Sequence, residues 1–329
     1  MCNIQISFCI PTYNRSELLS ELIKSIVEQC NNRADIEICI SDNASSDDTS
    51  EMIKDWTTRT HLPIIYKRNE INLGADKNIL LAQTLASGKY CWFFGSDDKL
   101  FPGSIDYLDS FIEKNNDIYL VERTEFNFNF STITRPGRKW MSTDSCLYDT
   151  SNKVELYNYL SNSISIGAVF SFLSSLIVKR ERWNKIDFDE KYIGSAYPHV
   201  YVLLSILNQG AIINYINKPL IMYRGDNDHF SQNGVVSRIE LDLKGYLQFS
   251  DEFYNYDIEL KSKFDQILLQ ERPYLKTIAV ISTRGTKEEK LRMKKYYMKL
   301  GKNGFFINLI YFLKPLLFLA KKIISKLSN

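Results

Sequence analysis

The chain has 329 residues, of which 44% are hydrophobic and 24% charged. That balance excludes a disordered chain, a collagen-like repeat and an ordinary polytopic membrane protein, and the length allows one large domain with an appendage, or two domains. The formal net charge of +2 conceals an asymmetry: residues 284–329 carry twelve Lys/Arg against two Glu, so a tail of net +10 follows a body of net −8.

The six cysteines are scattered without metal-like spacing, and with three histidines in the chain no structural zinc site is expected. The first residues lack the basic start and apolar core of a secretory signal, so the expected location is the reducing cytoplasm.

In chain order, apolar runs at residues 4–10, 36–41, 64–67 and 90–94 read as strands. Between them, residues 16–30, 46–59 and 77–87 read as helices. In the first, Leu18, Leu19, Leu22, Ile23 and Ile26 recur on one face. Strand starts lie 26 to 32 residues apart, the length that a βαβ crossover needs. An α/β fold with a mostly parallel central sheet flanked by helices is predicted. A helix over 104–115 and a strand over 118–121 follow, then a polar, aromatic-rich stretch of hairpins and loops over 124–148. Further on, a helix at 153–161, a strand at 174–178, a helix from Pro198 to about Gln209, and strands at 212–216 and 219–223 are expected. Beyond Ser231 the pattern is helical and increasingly basic.

Open parallel sheets bind ligands outside the carboxyl ends of their strands. Those ends here are Pro11-Thr12-Tyr13-Asn14-Arg15, the loop from Ser41 and Asp42 to Asp47, the stretch from Arg68 through Asn72 and Gly74 to Asp76, and Gly95-Ser96-Asp97-Asp98. All four are polar and turn-forming. Asp97-Asp98 abruptly ends the core-like run Cys91-Trp92-Phe93-Phe94, and the repulsion of adjacent acids is readily offset by a divalent cation. A cap for the helix after Pro102 is the plainer role for the pair. Neither GxxxxGK[ST] nor a GxGxxG after the first strand occurs, so metal and cationic side chains, with Arg68, Arg224 and Lys77 as candidates, must hold any diphosphate.

These four segments, in this order and at these strand ends, resemble the family 2 glycosyltransferases, whose GT-A fold is a nucleotide-diphosphosugar-binding α/β domain. The phrase Tyr90-Cys91-Trp92-Phe93-Phe94-Gly95-Ser96-Asp97-Asp98 looks closest to the abequosyltransferase-like enzymes of bacterial O-antigen assembly. The resemblance implies a catalytic domain over about 1–230, with a donor half to about 125 and an acceptor half beyond it, then a helical region over 231–329. It implies that Pro11, Thr12, Tyr13, Asn14, Arg15 and Asp42 hold the nucleoside, that Arg68 and Asn72 border the pocket, and that Asp97 faces the ribose or sugar. Asp98 would ligate Mg²⁺ or Mn²⁺ and so enter catalysis. Family members usually invert the anomeric centre, which requires a general base.

Many members carry that base in an acidic pair at the start of a helix past the domain midpoint. Here the corresponding stretch, Tyr192-Ile193-Gly194-Ser195-Ala196-Tyr197-Pro198-His199, has no carboxylate. His199 and, just upstream, Asp189 are the candidates; helix-start packing and a solvated loop acid are their respective plain alternatives. In the loop from Tyr223 to Phe230, Arg224 is a candidate phosphate partner and His229 a further metal ligand, unless the segment is an ordinary Asx-rich turn.

The basic tail encloses a sixteen-residue apolar run, residues 305–320, interrupted by Asn308, Lys314 and Pro315. About twenty apolar residues are needed to cross a bilayer, so an amphipathic helix lying on anionic lipid over about 287–326 is expected instead. A helix packed on the protein is the alternative, and nucleic acid is not an expected partner. A glycosyltransferase taking a nucleotide sugar to a lipid-linked glycan at the inner membrane face unites these features. Nucleotidyl transfer and a non-catalytic sugar-nucleotide scaffold are the competing classes.

Overall fold

The computed structural model describes residues 4–30, 33–136, 139–227 and 234–313. The chain divides into two compact units, residues 1–227 and 228–329.

The first unit is built on a ten-stranded sheet. Its strands are β1 (Ile6–Thr12), β2 (Ile36–Asp42), β3 (Ile64–Arg68), β4 (Tyr90–Phe93), β5 (Lys99–Leu100), β6 (Ile118–Phe126), β7 (Ile133–Arg135), β8 (Cys146–Asp149), β9 (Leu176–Lys179) and β10 (Ile212–Arg224). Its helices are α1 (Ser16–Val27), α2 (Thr49–Arg59), α3 (Ala75–Thr84), α4 (Ser104–Ile112), α5 (Lys153–Asn162), α6 (Arg180–Asn184) and α7 (Pro198–Asn208). The main order is β3-β2-β1-β4-β9-β6-β10-β5, with β7 on β6 and β8 on β10.

The first four strands in that order are parallel, and helices connect them, as the crossover spacing predicts. Strands β1, β2 and β4 are buried almost throughout, the expectation for parallel strands covered on both faces. On one face Phe8 stacks on Trp92 at 5.1 Å, and Leu19, Leu22, Ile23 and Ile26 of α1 pack into the same core.

Strand β9 runs antiparallel between β4 and β6 and joins the two halves of the sheet. That placement matters chemically, because it brings Ser174, just ahead of β9, to the exit of β4. Trp92 Nε1 donates to the Ser174 carbonyl at 2.9 Å, and the Gly95 amide donates to Ser174 Oγ at 2.9 Å. The two strands expected at 212–216 and 219–223 are one strand, β10, which shifts register against β6 between Ile216 and Ile221. Pro219 explains both views: it lacks a ladder donor, and an irregular register accommodates it.

The second unit contains α8 (Val235–Tyr254), α9 (Ile258–Glu271), α10 (Tyr274–Arg284) and α11 (Lys287–Lys299), and residues 304–313 are helical as well. Tyr246, Phe249, Tyr254 and Phe264 pack their rings together, and the enclosed carboxylate of Asp242 pairs with Arg238 and Arg272. Thr286 and Glu289 close a reciprocal capping box on α11. Among the described residues no helix is long and apolar enough to cross a membrane. The part of the expected lipid-facing segment beyond Leu313 lies outside the described residues.

Candidate functional site

The carboxyl edge of β1–β4 gathers the polar segments that the strand-end rule selects. Asn14 and Ala44 adopt left-handed backbone conformations, with φ of 50° and 64°. These turns knit the loops after β1 and β2 together: Asn14 N–H donates to Ser45 Oγ at 2.9 Å, Ser46 N–H to Asn14 Oδ1 at 2.7 Å, and Ser16 N–H to Asp47 Oδ2 at 2.9 Å. Tyr13 projects into solvent while Thr12 is buried.

Asp42 is fully enclosed. Tyr66 O–H donates to one of its oxygens at 2.6 Å and Ser45 N–H to the other at 2.9 Å. Burial, then the adjacent Asp42 carboxylate, pushes the Tyr66 hydroxyl up to about 12, so the phenol remains a donor. Asp42 thus anchors the loop, and its acceptor positions face protein donors rather than an open pocket. Arg68 caps the same loop through Ser45 O at 2.8 Å. Asn43 accepts from Leu73 N–H at 2.8 Å and donates to Asn72 Oδ1 at 2.7 Å. Asn78, absent from the sequence-based set, ties the ends of β1 and β2 to α3 by donating to Thr12 O and Ser41 O. The asparagines at 43, 69, 72 and 78 were the available signal, because short amides satisfy loop backbone where no ladder can.

The two carboxylates after β4 have different surroundings. Asp98 is buried, accepting from Ser174 O–H at 2.5 Å and from Arg224 N–H at 3.1 Å. Burial, followed by the neighbouring Asp97 charge, raises its carboxyl to about 7. Asp97 is partly exposed, and its carboxylate meets Arg15 Nη1 at 3.0 Å and Asn227 Nδ2 at 2.6 Å. A Cβ at position 95 would lie 3.2 Å from Asp98 Oδ2 and 3.3 Å from Asp97 Oδ1, so glycine leaves room for the pair.

Geometry argues against the roles expected for Arg224, His199 and Asp189. The Arg224 side chain is 2% exposed and already committed. It donates to Asp97 O at 2.8 Å, Phe128 O at 2.5 Å and Glu21 Oε2 at 2.6 Å, so it braces the acidic turn from beneath. His199 is buried in the first turn of α7, where Nε2 donates to Phe170 O at 3.0 Å and Nδ1 has no partner among the described residues. Burial lowers its imidazole to about 4. It is therefore neutral near pH 7 but sealed from an acceptor hydroxyl. Asp189 caps the turn at Lys191 and pairs with the Lys191 ammonium at 2.8 Å, so its carboxylate is committed locally. Lys77 is exposed on the first turn of α3. His229 lies outside the described residues.

A carboxylate does reach the stretch before α7, and it comes from α3. Asp76 Oδ2 accepts from Gly194 N–H at 2.7 Å and Ala196 N–H at 3.1 Å. Gly194 and Ala196 both have left-handed backbones, φ 90° and 66°, which wrap the loop around the carboxylate. Burial pushes the Asp76 carboxyl up, and the loop amides pull it part of the way back. Sequence reasoning missed Asp76 because its partners lie about 120 residues away. Among the described residues, no group of three or more His, Cys, Asp and Glu gathers as a metal site.

Comparisons with known proteins agree with this architecture. Residues 7–173 match the family described as Glycosyl transferase family 2. Abequosyltransferase RfbV of Salmonella typhimurium is 47% identical over 319 residues, covering 97% of this chain and 96% of that protein. A Campylobacter jejuni GalNAc(5)-diNAcBac-PP-undecaprenol beta-1,3-glucosyltransferase is 24% identical, covering 91% and 84%. The structure of Staphylococcus aureus TarS 1–349 with UDP-GlcNAc superposes with a TM-score of 0.65 at 17% identity, covering 90% of this chain and 80% of that one; the likeness shows a shared GT-A fold.

The depressed His199 pKa has a consequence for stability. Unfolding frees the imidazole to bind a proton at its ordinary value of 6.5, whereas the folded side chain holds none until about 4. The contribution is complete above 6.5 and is lost as pH falls through that window, by about 2 kcal/mol at pH 5. Urea midpoints at pH 8 and pH 5 should show this loss in the wild-type chain. His199→Gln, which keeps a donor for Phe170 O, should show it reduced by that amount; an equal pH dependence would contradict the burial argument.

Proposed function

The chain belongs to glycosyl transferase family 2, and from that membership we propose that it moves a sugar from a nucleotide-sugar donor to a hydroxyl of a lipid-linked glycan in cell-surface polysaccharide assembly. The observation that carries the reading is the Arg15–Asp97 pair at the carboxyl edge, where the loops after β1 and β4 meet. The name of the Salmonella relative supports abequosyl transfer in O-antigen synthesis as the specific reaction. The Campylobacter relative's name supports a polyprenol-linked acceptor.

Mg²⁺ or Mn²⁺ fits this edge in a limited form. Asp98 is closed in by Ser174 and Arg224, which leaves Asp97 as the carboxylate able to turn outward. Mg²⁺ accepts such a site, one or two carboxylates completed by water and substrate phosphates. Of Asp97 and Asp98, both candidate ligands in the sequence, Asp97 would hold the ion, which when bound supplies positive charge against the departing nucleoside diphosphate. Arg15 would exchange its Asp97 contact for the phosphates as the donor arrives.

Direct displacement with inversion needs a base for the acceptor hydroxyl, and Asp76 is our assignment in place of His199 and Asp189. Its burial raises proton affinity, which suits a carboxylate that must accept a proton, and the loop amides fix its direction. In the second unit, exposed Phe305, Phe306 and Phe312 adjoin the lysine-rich α11. An apolar cavity of about 520 Å³ opens there between Tyr274, Leu275, Phe306, Leu309, Ile310 and Leu313. Apolar bulk beside cationic charge supports attachment to an anionic lipid surface at the cytoplasmic membrane face.

Purified protein incubated with UDP-, GDP-, CDP- and dTDP-sugars, Mg²⁺ or Mn²⁺ and a lipid-linked acceptor should transfer one sugar with an inverted anomeric centre. Asp97→Ala should lower transfer by at least about a hundredfold. Pyrophosphate release from a nucleoside triphosphate would favour nucleotidyl transfer instead, and retention of configuration would remove the need for this base. Asp76→Asn keeps an oxygen for the Gly194 and Ala196 amides, so donor binding should survive while transfer is lost; undiminished transfer would move the base elsewhere. Deleting residues 303–329 should release the chain from phosphatidylglycerol vesicles without changing donor affinity, and continued co-sedimentation would refute the anchor.

A further inference from the structure

Glu21 lies in the middle of α1, outside every strand-end segment, and its carboxylate reaches the acidic turn through two cations. Its Oε2 accepts from Arg224 Nη2 at 2.6 Å and from Lys99 Nζ at 2.6 Å. Burial raises its carboxyl, but Lys99 and Arg224 outweigh burial and hold it below its ordinary value. Glu21 is therefore charged.

Both cations border the acidic pair. Lys99 follows Asp98 directly and pairs with Met222 where β5 runs along β10. Arg224 holds the pair itself, its backbone N–H donating to Asp98 Oδ1 at 3.1 Å and its Nε to Asp97 O at 2.8 Å. The Phe130 ring lies 4.6 Å from the Lys99 ammonium and 4.3 Å from the Arg224 guanidinium carbon. A ring leaves the charge of a cation intact, so the compensation falls to Glu21. A guanidinium as enclosed as that of Arg224 needs a carboxylate partner, and Glu21 supplies it. An ammonium two residues from Asp97, once released, would be drawn to that carboxylate, since opposite charges at a protein surface attract strongly at short range.

We propose that Glu21 is a positioning residue of the donor site, engaging Lys99 and Arg224 so that neither is drawn onto the Asp97 carboxylate and Arg224 keeps its hold on the Asp97 main chain. The assignment rests on the reading above, in which Asp97 is the carboxylate that serves the donor. It gives the reaction a residue from the interior of a helix that no strand-end rule selects.

Steady-state transfer with the nucleotide sugar that the wild type uses tests this. Glu21→Gln keeps an oxygen for Arg224 but no charge for Lys99. It should lower kcat/KM for the donor roughly tenfold and leave the acceptor KM unchanged. Lys99→Met, which keeps an apolar stem beside Phe130, should transfer like the wild type. The double variant Glu21→Gln, Lys99→Met should regain most of the lost activity, because no unmatched ammonium remains. Mn²⁺ binding in the presence of the matching nucleoside diphosphate, read from the EPR signal of the free ion, should weaken and recover in the same order. Full activity in Glu21→Gln would overturn the proposal. So would a double variant as impaired as Glu21→Gln, which would mark a merely structural role, or equal Mn²⁺ affinity throughout. Undiminished transfer in Asp97→Ala would bring down the reading of Asp97 and this proposal with it, a result distinct from failure at Glu21 alone.

Discussion

The buried carboxylate of Asp98 is the point at which the two halves of the sheet are joined. An enclosed carboxylate without donors costs several kcal/mol, so its partners must be in place for the fold to form around it. Those partners come from the turn before β9 and from the end of β10, through Ser174 and the Arg224 amide. Strand β4 is thereby tied to strands that arrive much later in the chain. Arg224 completes the joint by holding the Asp97 carbonyl above and Glu21 of α1 to the side.

This joint separates two adjacent acids into different roles. Asp98, spent on protein donors, sets the geometry of the turn. Asp97, its neighbour in sequence, keeps a partly exposed carboxylate that meets Arg15. The same division runs through the rest of the site. Asp42 and Arg68 stabilise the loop that they were expected to present to a ligand, and Asn78 ties three elements together from below. Asp76, the last residue of the third strand-end segment, instead reaches the loop before α7. The site is a small set of outward charges resting on a larger set of inward ones.

Much of this was legible without coordinates. Strand β2 and helix α1 follow from apolar periodicity, and the rule that ligands meet the carboxyl ends of parallel strands pointed to four polar segments whose side chains meet in the fold. Membership of the glycosyltransferase family and its GT-A fold were likewise visible in the motifs and are borne out by the comparisons. Periodicity could not join residues 212–216 and 219–223 into β10, because Pro219 interrupts the pattern while the sheet absorbs it as a register shift. Nor could it rank Asp97 against Asp98. Neighbours in sequence look alike, and only the positions of Ser174 and Arg224 determine which of the two is enclosed.

The sequence by itself determined the element order, the chemistry at each strand end and the split between an acidic body and a basic tail, because these depend on local spacing and on which residues are present. Tertiary structure decided what each charge is free to do. A carboxylate or guanidinium acts on a ligand only if the protein has not already satisfied it, and that depends on partners brought from far along the chain. For Asp98 those partners are the Ser174 hydroxyl and the Arg224 amide, for Arg224 they are Glu21 and the Asp97 carbonyl, and for His199 the enclosing core keeps the ring neutral. Burial and long-range hydrogen bonding, which no local pattern encodes, assign the roles.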